Sequence, residues 1–371
     1  MLICDDSPVM RKLLGKMVST DLTIEVVGEA NNGEDCLAKV QETRPDVVLL
    51  DLMMPGMDGL ACLHEARTRK LDTVFLVVSS HAKANAPITL EALRLGALDF
   101  VTKPQATPSA TPIHLELLAK LRAAHEVKLE RHGAGTPLDD DAESAHQPLP
   151  LEVTELAEAP GDSLPEPAEV IEVGDLEPRR GIDTSGTLTI IGGSSGCLQV
   201  LPACLDGLPD HLRGAIVLVL KLPAFLADQL PAQFAARCPV PILMATAGAV
   251  LEPERIYVAP GGPEDLLLEA DPGGPPRFRL VETAATGEIA PCIDTFMTSA
   301  AAVLGARCRG VLVSGTGVDG IDGLRAILDS GGQTAAQDHD SALAPQLPQA
   351  ADSAGVVQKV VTPVEMADLF R

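Results

Sequence analysis

The chain has 371 residues, 46% hydrophobic and 22% charged, which is globular material with enough apolar residues for more than one core. A formal net charge of −24 argues against nucleic acid or an anionic membrane as the main partner, and 2% aromatics, with no Trp and a single Tyr, exclude base-stacking platforms. Eight cysteines stand singly with no CxxC pair, and there is neither a secretory start nor an apolar run of roughly 18 residues, so a cytoplasmic protein with reduced thiols, no zinc and no disulfides is expected.

Met1 to Cys4 reads as a very short strand running into Asp5-Asp6-Ser7-Pro8, where Ser7 caps a helix whose first turn holds Pro8. Strands follow at Ile24–Val27, Asp46–Leu50, Val74–Ser79 and Asp99–Thr102. Helices fall at Gly33–Gln41, from Met57-Asp58-Gly59 through Leu63, at Ile88–Leu95 and at Ile113–Leu129. This alternation over 1–130 predicts a doubly wound parallel sheet. Its strand ends carry Asp5 and Asp6, Asp51, Ser79 and Lys103, where open α/β sheets place their chemistry. Three clustered carboxylates repel one another unless a hard cation such as Mg²⁺ lies among them. Asp51 then suits a nucleophile towards a phosphoryl donor, with Lys103 and the Ser79 hydroxyl as partners of the phosphoryl oxygens.

Residues 1 to about 130 resemble the receiver domain of two-component response regulators. The resemblance rests on Asp5-Asp6-Ser7, Leu50-Asp51-Leu52-Met53-Met54-Pro55-Gly56-Met57-Asp58-Gly59, Val78-Ser79-Ser80 and Asp99-Phe100-Val101-Thr102-Lys103-Pro104. It implies a flavodoxin-like fold with Asp51 as phospho-acceptor, and Mg²⁺ held by Asp5, Asp6, Asp51 and the Met53 carbonyl. It further implies Ser79 and Lys103 as readers of the phosphoryl group and Phe100 as the aromatic of the switching face. The short first strand suggests a late start or a missing residue or two.

From Gly133 to about Ser185 the pattern dissolves into a Pro-, Ala- and Glu-rich tract, opened by Asp139-Asp140-Asp141 and without Lys or Arg until Arg179-Arg180. Residues 131–186 therefore read as a disordered, self-repelling acidic linker. A second α/β unit is expected over 187–371. Leu188–Ile191 runs into Gly192-Gly193-Ser194-Ser195-Gly196 and a helix through Leu201. Further strands are expected at Ala215–Leu220, Pro241–Met244, Ile256–Ala259 and Gly310–Val313, with a helix from Gly323 and a last strand at Thr334–Gln337. The glycines present the Ser194 hydroxyl at a tight turn whose amides suit an oxyanion hole. Asp319, in the second glycine-flanked loop, is placed to orient a base.

This half resembles the catalytic domain of the chemotaxis protein-glutamate methylesterase/glutaminase (CheB) family. It carries Ile191-Gly192-Gly193-Ser194-Ser195-Gly196, Ile256-Tyr257-Val258-Ala259-Pro260-Gly261, Ser314-Gly315-Thr316-Gly317-Val318-Asp319-Gly320 and Ala336-Gln337-Asp338. The resemblance implies a Rossmann-like domain that hydrolyses methyl-glutamate esters, and deamidates glutamines, on methyl-accepting chemoreceptors under a chemotaxis histidine kinase. The family's Ser–His–Asp triad matches Ser194 and Asp319, but Lys221 stands where the family has His. The family's Gly-Gly after the serine pair is Gly196-Cys197, and its His-Arg-Pro-Ser-Val-Asp-like run is reduced to Ile289-Ala290-Pro291-Cys292-Ile293-Asp294. A lysine titrates about four units above imidazole and is a poor base near neutrality. The expectation is weak hydrolysis, with a Ser–Lys variant or rescue by His339 as alternatives, and a catalytically inactive phospho-regulated module or phosphate sink as the second reading. A DNA-binding output is disfavoured by the charge.

Overall fold

The computed structural model describes residues 1–79, 86–103, 110–133, 186–283 and 291–370. The acidic stretch from 134 to 185 lies outside these residues, as do Ser80, Pro104, Ile289 and Ala290 of the quoted motifs.

The first unit alternates β1 (Leu2–Cys4), α1 (Pro8–Val18), β2 (Gly28–Ala30), α2 (Gly33–Thr43), β3 (Val47–Asp51), α3 (Gly59–Thr68), β4 (Val74–Ser79), α4 (Ala86–Leu95), β5 (Asp99–Thr102) and α5 (Ala110–Gly133). Its five strands are parallel in the order β2-β1-β3-β4-β5, the flavodoxin-like arrangement. Ser7 caps α1, its hydroxyl accepting from the Met10 amide, and the Asp58 carboxylate caps α3 through the Ala61 amide. One strand differs from expectation. Ile24–Val27 is not a strand, and β2 begins at Gly28, because its neighbour β1 spans Leu2–Cys4 and the register opens at Leu2 opposite Gly28.

The second unit contains β6 (Leu188–Gly193), α6 (Leu201–Asp206), β7 (Ala215–Leu220), α7 (Ala224–Ala227), α8 (Leu230–Phe234), β8 (Ile242–Met244), β9 (Arg255–Val258), β10 (Glu264–Glu269), β11 (Arg277–Glu282), α9 (Ile293–Leu304), β12 (Cys308–Leu312), α10 (Ile321–Asp329), β13 (Gln333–Gln337), α11 (Gln346–Ser353) and β14 (Lys359–Val361). Seven strands form a parallel sheet ordered β14-β13-β12-β6-β7-β9-β8. The Thr334–Gln337 strand is not the last, since β14 adds to its outer edge. The helix expected through Leu201 is a 3-10 turn at Cys197–Gln199 followed by α6. Beyond expectation, β10 and β11 pair as an antiparallel hairpin that lays Phe278 between Tyr257 and Phe296 of α9, with ring centroids 4.8 and 6.3 Å apart.

Both sheets bring their key loops to the carboxyl ends of strands at the point where strand order reverses, between β1 and β3 in the first and between β6 and β12 in the second. A continuous apolar cluster joins the units, running from Leu90 and Leu93 of α4 to Leu198, Leu222 and Leu226. Gly59 packs so closely under the β3 end that an added Cβ would lie 2.4 Å from the Asp51 carbonyl oxygen. Gly59→Ala is therefore expected to destabilise the first unit by about 1–3 kcal/mol through a forced backbone shift. Urea unfolding followed by a probe in that unit checks this; an unchanged midpoint would contradict the close approach.

Candidate functional site

β3 is buried along its whole length, so its final residue Asp51 is carried to the sheet edge only 2% exposed, and Asp5, directly after β1, is 1% exposed. Lys103, just past β5, reaches both: its Nζ lies 2.6 Å from Asp51 Oδ2 and 3.1 Å from Asp5 Oδ2. The Met53 amide donates to Asp51 Oδ1 at 3.2 Å and the Ser7 amide to Asp5 Oδ1 at 2.8 Å. Burial raises the Asp51 carboxyl above its ordinary value, and the Lys103 ammonium only partly offsets this. For Lys103 burial acts to lower the value, but the two carboxylates outweigh it and raise it.

Oxygens of Asp5, Asp6 and Asp51 lie within 4.8 Å of one another, three carboxylates against one ammonium. Apart from Lys103, no hydrogen bond among the described residues reaches the buried Asp5 Oδ2. A hard oxygen donor set with excess negative charge and a free buried lone pair fits Mg²⁺. Asp51, Met53, Ser79 and Lys103 line a cleft of about 340 Å³ at this edge. The Ser79 hydroxyl is meanwhile 2.8 Å from the Thr89 hydroxyl of α4. Phe100 is buried elsewhere, edge-on to Phe225 of α7 with centroids 6.0 Å apart and with Lys120 Nζ 4.7 Å above its ring.

In the second unit Ser194 follows β6 directly. Gly196 holds the turn in the left-handed region (φ 78°), and a Cβ there would meet Ser314 Oγ at 2.6 Å. The Thr316 amide donates to Ser194 Oγ at 2.9 Å, and the hydroxyl donates to the Thr316 carbonyl at 3.2 Å. Lys221, just past β7, points across the cleft to Asp319 in the loop after β12, with Nζ 2.7 Å from Oδ2 and both side chains 17% exposed. Asp319 also accepts from the Ile293 amide at 3.1 Å, the Asp294 amide at 3.0 Å and the Cys292 thiol at 3.4 Å. Burial alone would raise the Asp319 carboxyl, but Lys221 and these amides outweigh it and hold it below its ordinary 3.8. Burial pushes the Cys292 thiol up, so it is a poor nucleophile.

The structure thus brings Ser194, Lys221 and Asp319 to one edge. The hydroxyl proton is directed at a carbonyl, and the ammonium at the carboxylate. His339 lies in the turn after β13, its Nε2 buried and without a hydrogen bond among the described residues. The resemblance implies that the receiver covers this cleft, but the residue contacts that do so were not legible in the sequence. Ser194, Ser195 and Lys221 share a cleft of about 270 Å³ with Leu93, Leu98 and Asp99 of the first unit. The Gly196 amide donates to the Leu98 carbonyl at 2.9 Å, and Ser195 Oγ donates to Asp99 Oδ2 at 2.7 Å. No local pattern signals them, because the partners are about a hundred residues apart and meet only when the units dock.

Comparison with known proteins matches residues 189–370 to the CheB methylesterase family and residues 1–111 to the response regulator receiver domain. A protein-glutamate methylesterase/protein-glutamine glutaminase of Koribacter versatilis is 32% identical, covering 97% of this chain and 92% of its own. Its namesake in Symbiobacterium thermophilum is also 32% identical, covering 99% and 94%. Among solved structures, the Thermotoga maritima CheB methylesterase catalytic domain aligns at TM-score 0.48 and 24% identity, covering 50% of this chain and 97% of that one. The response regulator domain of Thermotoga maritima CheB aligns at TM-score 0.31 and 37% identity, covering 34% and 94%.

The Asp319 shift fixes an acid response. A carboxylate whose folded value is depressed contributes stability that is complete above its ordinary 3.8 and is lost as pH falls through the lower folded value. Asp319→Asn, which strands the Lys221 ammonium, is expected to cost about 1–3 kcal/mol at neutral pH. That gap should narrow as pH drops below 3.8. Urea titrations across this range measure it; a gap independent of pH would refute the ionised pair.

Proposed function

Because the chain belongs to the protein-glutamate methylesterase/glutaminase (CheB) family, with a receiver ahead of the methylesterase, we propose that it is a phosphorylation-regulated chemotaxis response regulator whose ester hydrolysis is weak. Its substrates on this reading are methyl-glutamate and glutamine side chains of methyl-accepting chemoreceptors, and its phosphoryl donor is a chemotaxis histidine kinase. Asp51 is the acceptor; Asp5, Asp6, Asp51 and the Met53 carbonyl hold Mg²⁺, which supplies charge neutralisation for the transferring phosphoryl group. Lys103 and Ser79 then engage the phosphoryl oxygens, and Phe100 belongs to the face that responds.

The observation that carries the weak-hydrolysis part is the 2.7 Å Lys221–Asp319 ion pair. Attack by Ser194 needs a group to take its proton, and an ammonium pinned to a carboxylate has no lone pair to do so. A Ser–Lys mechanism needs a neutral, desolvated lysine, which an adjacent carboxylate disfavours. What remains is stabilisation of the oxyanion by amides of the glycine-rich turn at Ser194, together with binding, which sustains only residual turnover when a triad member is missing. The same ion pair favours the second reading, a non-catalytic module that accepts phosphate and docks on receptor or kinase.

Methanol release from methylated receptor separates the two. Wild type with an acyl-phosphate donor is expected to release methanol slowly yet above a Ser194→Ala control, and Lys221→His to raise the rate by about 10²-fold or more. Release indistinguishable from Ser194→Ala in both proteins would leave the non-catalytic module. Wild-type turnover that Lys221→His fails to improve would refute the assignment of the deficit to Lys221.

A further inference from the structure

The acidic cluster of the first unit is held by a cation outside the motifs that define it. Arg11 of α1 reaches the loop after β1 with its guanidinium, and its side chain is only 17% exposed. Its Nη1 donates to the Asp5 carbonyl at 2.8 Å and to the Asp6 carbonyl at 3.4 Å. Its Nε donates to Glu29 Oε2 of β2 at 2.8 Å, so the fork spans from the acidic loop to the neighbouring strand. Asp5 has further anchors: its amide donates to the Ala30 carbonyl at 3.1 Å, and its Oδ1 accepts the Ser7 amide at 2.8 Å. No such side-chain anchor holds Asp6. It is exposed, and among the described residues no hydrogen bond or ion pair reaches its carboxylate. Yet one of its oxygens lies within 4.8 Å of those of Asp5 and Asp51.

Carboxylates at that spacing repel one another, and the exposed member is the one free to swing into water. A metal site gains when its donors converge before the ion arrives, because gathering them afterwards costs affinity. The contacts at the Asp5 and Asp6 carbonyls fix the backbone from which the Asp6 side chain springs. We propose that Arg11 is a positioning residue for the divalent cation, holding Asp6 in the donor set by clamping its backbone to Glu29. The inference rests on the reading of this cluster as a Mg²⁺ site, and it adds a residue that touches neither the ion nor the phosphoryl group. Charge and geometry here pull in opposite directions. A guanidinium beside the cluster repels an incoming cation, whereas its fork holds the donors that attract one. Lysine keeps the charge but is a point donor without the planar fork, so it spans less of the gap between the two carbonyls and Glu29.

The test is a Mg²⁺ titration of the isotope-labelled full chain, read by NMR at the Ser7 and Met53 amides that donate to Asp5 and Asp51. Arg11→Ala is expected to raise the dissociation constant about tenfold or more, the scale of lost support behind metal ligands. Arg11→Lys should recover part of that loss. Glu29→Ala should weaken binding less, and should add nothing in the Arg11→Ala background, because its influence passes through the guanidinium. An Arg11→Ala affinity equal to or tighter than that of wild type would overturn the proposal, since charge would then outweigh position. A Glu29→Ala effect of equal size in both backgrounds would overturn the clamp in the same way. Wild-type amides that ignore millimolar Mg²⁺ would remove the Mg²⁺ reading and this inference with it. A site that binds the ion and is indifferent to Arg11 loses the inference alone.

Discussion

On the reading proposed above, the Lys221–Asp319 ion pair is the constraint on which the chemistry of Ser194 depends. Both side chains are mostly withdrawn from water, and Asp319 is further fixed by two backbone amides and the Cys292 thiol. Such a carboxylate is stabilised as the anion, and it holds the Lys221 ammonium at 2.7 Å. An imidazole in the same place would give its own N–H to Asp319 and keep a lone pair for the serine proton. A lysine meets the first demand and not the second. The Ser194 hydroxyl accordingly turns to the Thr316 carbonyl.

Between Asp51 and Ser194 runs a set of direct contacts rather than a long linker. Ser79 lines the Asp51 cleft and touches Thr89 on α4; α4 carries Leu93 into the second cleft beside Leu198; β5 carries Asp99 to Ser195 and Phe100 to Phe225. These residues lie on the β4–α4–β5 side of the first sheet. A rearrangement there moves the groups that hold the units together, whereas the opposite edge around β2 takes no part in this cleft. Lys120 is the shared fastening, pairing with Asp99 and Glu116 while its ammonium sits over the Phe100 ring.

The sequence carried the parallel strands well because a strand buried on both faces is an unbroken apolar run, as in Val47–Leu50 and Ala215–Leu220. It carried the strand-end chemistry for the same reason: a charged residue closing such a run has one place to go. The β2 shift was illegible because Ile24–Val27 is as apolar as a strand, and only the length of β1 limits the pairing. The β10–β11 hairpin has a Gly-rich turn, but its strands are fringed by Glu264, Glu269, Arg277, Arg279 and Glu282, which mask the alternation of Leu266, Leu268 and Phe278 against α9. In the candidate site, Lys221 was identified by position, whereas its closure onto Asp319, 98 residues away, is a tertiary fact.

The molecule holds two lysine–aspartate pairs at carboxyl ends of parallel strands, and their stoichiometry separates them. Lys103 pairs with the buried Asp5 and Asp51, with the exposed Asp6 alongside, so one ammonium meets more than one carboxylate. Burial, with a smaller contribution from Asp5, raises the Asp51 carboxyl despite Lys103, and a hard divalent cation is the group that such a carboxylate set fits. Lys221 faces Asp319 with backbone donors already added, and the Asp319 carboxyl is depressed rather than raised. The first pair is short of positive charge; the second is balanced. The same two residue types therefore make an electrostatically demanding site at one sheet and a quiet one at the other, and the difference is set by how many carboxylates and amides the neighbouring loops supply.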